Sequence, residues 1–345
     1  MKNFGRIAML AVIIAVCAAC HRRTLNDPNE LVQLVVTVDT RNISNVTSDI
    51  YNPNIPVPDL NTDMLRVLLY NPSTRSLMSQ SFISNKTYQD EVTQIFSGTL
   101  NIGFGNFDLI AYNFDTPTTL VKSESNEDSA VAYTEAVPES VRAKYSFSKS
   151  LNLEDIDINY EPDHFMVARE SNLRVSPHDS LYTIYTTAHS IIDTYYLQVR
   201  VIGAQYASSA TAVISGLSPS NVFGINSRTE VPSAAVAFDI QKSTDSNIAG
   251  EEKNVLCGLF NTFGKIDGID SDLLVTFNVT DTAGNLLQFN FNLNTVFKTE
   301  DAIERHWLLI DDAITIPDPS PQNTTGGGFE PRVDDWQEQY GEIVL

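Results

Sequence analysis

The 345 residues (38.2 kDa) leave room for about two domains, each large enough to bury its own core. Twenty-two Lys and Arg against 43 Asp and Glu give a formal net charge of -21, so the surface repels a phosphate backbone and nucleic-acid binding is excluded. Hydrophobic residues at 42%, with 13 Tyr and 17 Phe, exclude disorder over most of the length, and three Cys are too few for a disulfide framework. The chain opens with the pattern of an export leader. Lys2 and Arg6 supply a positive start, Ile7 to Val16 is an apolar run, and the small Ala18 and Ala19 precede Cys20. That run is about half of the roughly 20 residues a membrane-spanning helix needs.

Cys17-Ala-Ala-Cys20 has the spacing of a redox pair, but it closes a hydrophobic leader instead of opening a helix. The segment resembles a bacterial lipobox, in which small residues precede a Cys that is acylated and becomes the mature N-terminus. Cys17 stands where the usual Leu would be. The expectation is a signal peptide over 1–19, lipidation at Cys20 and a polar tether over 20–30, with the acyl chains as the link to the membrane. Several such chains, at about 0.8 kcal/mol per buried methylene, hold a protein on a bilayer without a spanning helix. Cleavage removes Lys2 and Arg6 and no acid, which takes the charge from -21 to -23.

Beyond the tether the dominant signal is period-2 alternation. Strands are predicted at Leu31 to Val38, Met64 to Tyr70, Gln94 to Leu100, Phe107 to Tyr112, Phe165 to Glu170, Leu181 to Thr187, Tyr195 to Ile202, Ala234 to Ile240 and Asn254 to Phe260. Val275 to Val279 and Leu287 to Leu293 alternate on either side of Asp281-Thr-Ala-Gly-Asn285, whose residue types predict a hairpin turn. Short helices are expected at Glu135 to Ala143 and Glu300 to His306. Many short strands between Gly, Pro, Asn and Asp clusters point to an all-β fold of antiparallel β-sandwiches. The expected layout is an N-terminal sandwich over 31–165, a C-terminal one over 166–316, and a Pro/Gly-rich linker with an acidic end over 317–345.

Catalytic signatures are incomplete. Gly258 to Lys265 has a phosphate-loop look, but its spacer is one residue too long and Ile266 stands where a magnesium ligand belongs. Gly216-Leu-Ser218-Pro-Ser220 lacks the second Gly of a nucleophile elbow, and its Pro removes a needed backbone N–H. The five His occur in no metal-ligand spacing, and Asp267, Asp270 and Asp272 lack the closing Glu of a calcium hand, Asn278 standing there instead. Cys257 sits in an apolar run, as an inert core thiol would. The chain is therefore expected to be non-enzymatic, with no metal site and no cofactor.

Several phrases carry a resemblance: Asp49-Ile-Tyr51-Asn-Pro-Asn-Ile-Pro56, Val67-Leu-Leu-Tyr70, Asp108-Leu-Ile-Ala-Tyr-Asn113-Phe, Val199-Arg-Val-Ile-Gly203, Ala212-Val-Ile-Ser-Gly216-Leu and Gly328-Phe-Glu-Pro-Arg-Val-Asp-Asp-Trp336. With the lipobox they resemble the fimbrillin-like lipoproteins of Bacteroidetes, of the fimbrial anchor or minor-subunit type. The resemblance implies tandem transthyretin-like β-sandwich domains. It also implies a lipid-anchored outer-membrane subunit acting in fimbria assembly and cell adhesion through β-strand contacts. Its partners would be the membrane, other fimbrial subunits and a host or bacterial adhesion ligand. On this reading the strand Leu31 to Val38 stays in place because Cys20 ties it down, and Val333, Trp336, Ile343, Val344 and Leu345 are candidate anchors for a partner. The same tail could instead fold back on its own domain. Two other readings stand beside it: a surface glycan-binding lipoprotein of a polysaccharide-uptake system, and a secreted hydrolase with convergent carboxylates.

Overall fold

The computed structural model describes residues 30–39, 62–147, 149–151, 155–176, 182–229, 233–245, 253–266 and 273–319, with 41, 43, 46, 60 and 153 besides. Two sheets form the N-terminal sandwich. One has the order β11-β1-β5-β4, with β1 (Glu30–Asp39), β4 (Asn85–Tyr88), β5 (Thr93–Ile102) and β11 (Tyr182–Thr187). The other has the order β12-β10-β6-β2-β3, with β2 (Leu65–Tyr70), β3 (Leu77–Ile83), β6 (Gly105–Asn113), β10 (Met166–Val175) and β12 (His189–Ser190). A single residue separates β3 from β4 and another separates β11 from β12, so on both sides the chain turns from one sheet into the other.

Alternation explains the layers. Leu65, Val67 and Leu69 of β2 and Phe107, Leu109 and Ala111 of β6 face the sandwich interior, with Val32, Leu34, Phe96, Leu100, Met166 and Ala168. Leu68, Tyr70, Ile110 and Tyr112, on the opposite face of the same strands, are buried against Ala130, Ala132, Phe165, Ile191, Ile192, Phe223 and Phe263. A sheet covered on both faces reads as a continuous apolar run, which is why Val67-Leu-Leu-Tyr70 lacks polar alternation. The second cover includes a small sheet, β16-β15-β8-β7, of β7 (Leu120–Lys122), β8 (Val131–Tyr133), β15 (Ser220–Val222) and β16 (Ser227–Arg228).

The C-terminal half is built on β9 (Ile158–Asn159), β13 (Asp193–Ile202), β14 (Ala207–Leu217), β17 (Ala234–Asp245), β18 (Lys253–Thr262), β19 (Leu274–Asp281), β20 (Leu286–Asn292) and β21 (Trp307–Thr315). They run in the order β20-β19-β14-β17-β18-β13-β21, with β9 beside β17. β17 is shared: Ala234 to Ile240 pairs with β14, and Gln241 to Asp245 pairs with β18. The strand set thus folds over a core that includes Leu197, Val199, Ile214, Phe238, Phe260, Phe277 and Leu308. Tyr195 sits among Phe260, Phe297 and His306, with ring centroids 5.7, 5.2 and 4.7 Å away. The helices are short: α1 (Glu139–Arg142) and α2 (Glu300–Arg305), the latter capped by the Thr299 hydroxyl accepting from Ala302 N–H.

Most pairing is antiparallel, as expected, and β1–β11, β9–β17 and β13–β21 are parallel. The boundary expected between 165 and 166 does not divide the chain in space. β10 pairs with β6 and β11 pairs with β1, so residues beyond 166 complete the N-terminal sheets. Earlier, Val137, Phe147 and Ile158 already pack against Val213, Ala235 and Ala237 of the C-terminal half. The chain crosses over, returns and crosses again; periodicity locates strands but carries no information about which strand each will pair with.

Candidate functional site

The first strand of the described chain is built in on both sides. Val-Gln-Leu-Val-Val-Thr-Val, rich in β-branched residues, favours an extended chain. Val32, Leu34, Val36 and Val38 are all fully buried on one face of β1. β5 pairs with it from Glu30↔Ile102 to Asp39↔Thr93, and β11 from Val32↔Tyr182 to Thr37↔Thr187. At about 1.5–3 kcal/mol for each aliphatic side chain buried, those four residues alone contribute on the order of the whole stability of a domain. β1 cannot leave without dissolving the core it completes.

The sheet margins have the opposite character. β4, β11, β3, β20 and β21 end their sheets, and no described strand pairs with their outer sides. Such margins present backbone N–H and C=O groups that a further strand can use. Tyr185 on β11 is 75% exposed and Leu286 on β20 is 52% exposed, while Leu287, Phe289 and Phe291 lie half-buried along the core.

Between the halves lies a charged joint. Arg75, in a left-handed conformation, reaches Asp108 at 2.7 Å, Glu127 at 3.0 Å and Asp128 at 3.1 Å. Asp108 also accepts the Asn172 N–H at 2.7 Å, at the β10 irregularity between Glu170 and Leu173. Arg169 donates from Nε to the Phe223 carbonyl at 2.6 Å, and Phe223 packs on Tyr112 and Phe165. Burial pushes the Glu127 carboxyl up to about 7, against the pull of Arg75. Next to it, Tyr112 donates to Glu124, which also pairs with Arg66 at 2.7 Å. Burial, with that hydrogen bond, raises the Tyr112 phenol. These groups lie far apart in sequence, so no local motif announced them.

The residues singled out from sequence are distributed as follows. Cys20, Val333, Trp336, Ile343, Val344 and Leu345 lie outside the described residues, as do Asp267, Asp270 and Asp272. Cys257 is buried in β18, beside Trp307 and Tyr196. Ser218 is a structural hydroxyl: it is 2% exposed and donates to the Ser220 and Thr229 carbonyls at 2.8 and 2.7 Å. Gly258 lies within β18, so the phosphate-loop likeness is a strand running into a turn. Among the described residues no group of three or more His, Cys, Asp or Glu could hold a metal ion, and no helix there is long and apolar enough to cross a membrane.

The chain is thus an all-β sandwich protein whose first strand is paired on both sides and whose outer sheet margins no described strand covers. Residues 56–239 match the family described as "Domain of unknown function (DUF5119)", and the chain belongs to that family. It is 21% identical over 274 residues to the "Putative fimbrium anchoring subunit Fim4B" of Bacteroides ovatus, covering 72% of this chain and 77% of that one. Among solved structures it is similar to one described as "a putative adhesin" from Bacteroides ovatus, with a TM-score of 0.57, 14% identity, and 87% and 97% of the two chains covered. The fimbrial anchor protein Mfa2 of Porphyromonas gingivalis aligns with a TM-score of 0.46 at 10% identity, over 83% of this chain and 90% of that one. The resemblance to Bacteroidetes fimbrial proteins and the all-β sandwich class expected from sequence therefore both hold.

Proposed function

We propose that this protein is a non-catalytic, lipid-anchored subunit of a fimbria, held at the outer membrane through Cys20 and joined to other subunits by β-strand contacts. The observation that carries the reading is the embedded β1. Glu30 follows Cys20 by only ten residues, a span of about 35 Å at full extension. A subunit moored by its N-terminus needs that end locked into its fold, and β1 is bonded on both sides along a fully buried face. The relative named as a fimbrium anchoring subunit supports an envelope location. The body's acidity keeps it standing off an anionic bilayer, leaving the open margins and the segment 317–345 for other subunits.

Cys20→Ala tests the reading. The variant is expected to lose incorporation of labelled palmitate and to move from the membrane fraction to the soluble one, with fimbriae shed into the medium. Retention on the membrane with unchanged fimbriae overturns it. Truncation after Thr325 separates the two roles of the tail: loss of fimbrial attachment with an unchanged melting temperature supports partner contact, and an unchanged phenotype rejects it.

A further inference from the structure

A half-open cleft of about 1040 Å³ lies where the two halves meet, lined from the first by Leu60, Thr62 to Met64 and Asn113 to Thr118, and from the second by Ala237 to Asp239 and Asn261. Its volume is at the upper end of the range for small-ligand sites, which favour domain junctions. Tyr160 and Phe114, each 38% exposed, and the half-buried Tyr145 supply apolar faces. We propose that this cleft binds a short neutral oligosaccharide, with Tyr160 and Phe114 as stacking faces and the polar groups around them as partners for sugar hydroxyls.

The charge balance selects that ligand class. Five carboxylates line the cleft, but three are already engaged. Asp163 accepts from Thr118 N–H, Thr118 Oγ1 and Thr119 N–H at 2.6, 2.8 and 2.9 Å. Asp239 accepts from Lys144 Nζ at 2.9 Å and Tyr145 OH at 3.2 Å. Glu161 accepts from Asn261 N–H at 2.7 Å, and burial raises its carboxyl to about 7, so near neutral pH it also carries a proton it can donate. His164, whose buried Nδ1 has no hydrogen-bond partner, is kept neutral by burial. Asp63 and Asp115 are exposed carboxylates of the cleft. An anionic ligand would meet these carboxylates, and the nearby cations are engaged: Lys144 on Asp239, Lys86 on the Thr62 carbonyl at 3.0 Å and Arg66 on Glu124 at 2.7 Å. A cationic one would have to compete with the donors already on Asp163 and Asp239. An uncharged molecule with many hydroxyls and an apolar ring face fits both the hydrogen-bonding and the aromatic surfaces. This inference does not depend on lipidation or on fimbrial assembly.

The test is titration calorimetry of the mature protein with neutral tri- and tetrasaccharides of glucose, mannose, galactose and N-acetylglucosamine, with oligolysine as the competing probe. Binding of at least one saccharide is expected, with affinity constant between about 0.05 and 0.5 M NaCl because no net charge is screened. Tyr160→Ala should weaken it at least tenfold at an unchanged melting temperature, and Tyr185→Ala, at an exposed tyrosine outside the cleft lining, should leave it within about threefold. Absence of binding to every saccharide, binding indifferent to Tyr160→Ala, or salt-sensitive binding of oligolysine alone would each overturn the proposal.

Discussion

Leu34 sits at the centre of β1 with no exposed surface, between Gly98 of β5 and Ile184 of β11. Leu34→Ala removes buried methyl groups from a site closed on every side and should cost about 2–5 kcal/mol, read as a fall in the denaturant midpoint. Glu161 yields a pH prediction. Its carboxyl stands at about 7 in the folded protein against 4.5 in an unfolded chain, so between those values the folded state holds a proton the unfolded state has released. Its contribution to stability therefore falls as pH rises from about 4.5 to 7 and is flat above. Glu161→Gln, which keeps an oxygen for the Asn261 N–H, should gain in melting temperature relative to the parent at pH 8 compared with pH 5. An equal difference at both pH values would contradict the assignment. At this scale the sequence was informative where a residue's neighbours in the chain decide its fate. Cys257 was expected in an apolar run and is 8% exposed. The Arg75, Glu127 and Arg169 joint was invisible because its members come from three distant segments.

Among the elements, the β19–β20 hairpin was the most legible: Asp281-Thr-Ala-Gly-Asn285 forms the turn, with Asp281 Oδ1 accepting the Ala283 and Asn285 N–H groups at 2.9 and 2.8 Å. β14 was not marked as a strand, because Ala-Ser-Ser-Ala-Thr-Ala-Val-Ile-Ser is small and buried along most of its length, without a polar face to reveal a period. β3 was missed for the opposite reason: Leu-Met-Ser-Gln-Ser-Phe-Ile is an exposed margin with little apolar contrast. Two glycines separate backbone strain from crowding. Gly203, at φ +81, ends β13 where an added Cβ would collide with the Ile316 carbonyl oxygen; Gly284, at φ +87, has open space around it. Gly203→Ala should destabilise by more than about 1 kcal/mol and by clearly more than Gly284→Ala, as thermal unfolding of the two variants would register. Equal losses would mean that only the positive φ matters.

For the whole molecule, the interlaced path makes the halves interdependent. A fragment ending at residue 165 keeps β1 to β9 but lacks β10 and β11, and so loses a neighbour from each N-terminal sheet. It also loses Phe223, which shields Tyr112, while Gly224, where an added Cβ would strike the Glu127 carbonyl oxygen, shows how closely the second half is pressed on the first. That fragment should show no cooperative melting, whereas residues 20–319 should unfold in a single transition. A folded, cooperatively melting 20–165 would restore the simpler division read from sequence. Strand positions were legible because periodicity is local; the order of strands within sheets was not, since it depends on contacts between residues a hundred or more positions apart.

The double ladder around β1 also has a mechanical meaning. A pull on its N-terminal end, directed along the strand, loads the rungs to β5 and to β11 in shear, so that many must yield together instead of opening one after another like a zip. Traction borne in that direction would be spread across both neighbours of the strand, and the slowest event under tension would be its extraction from between them.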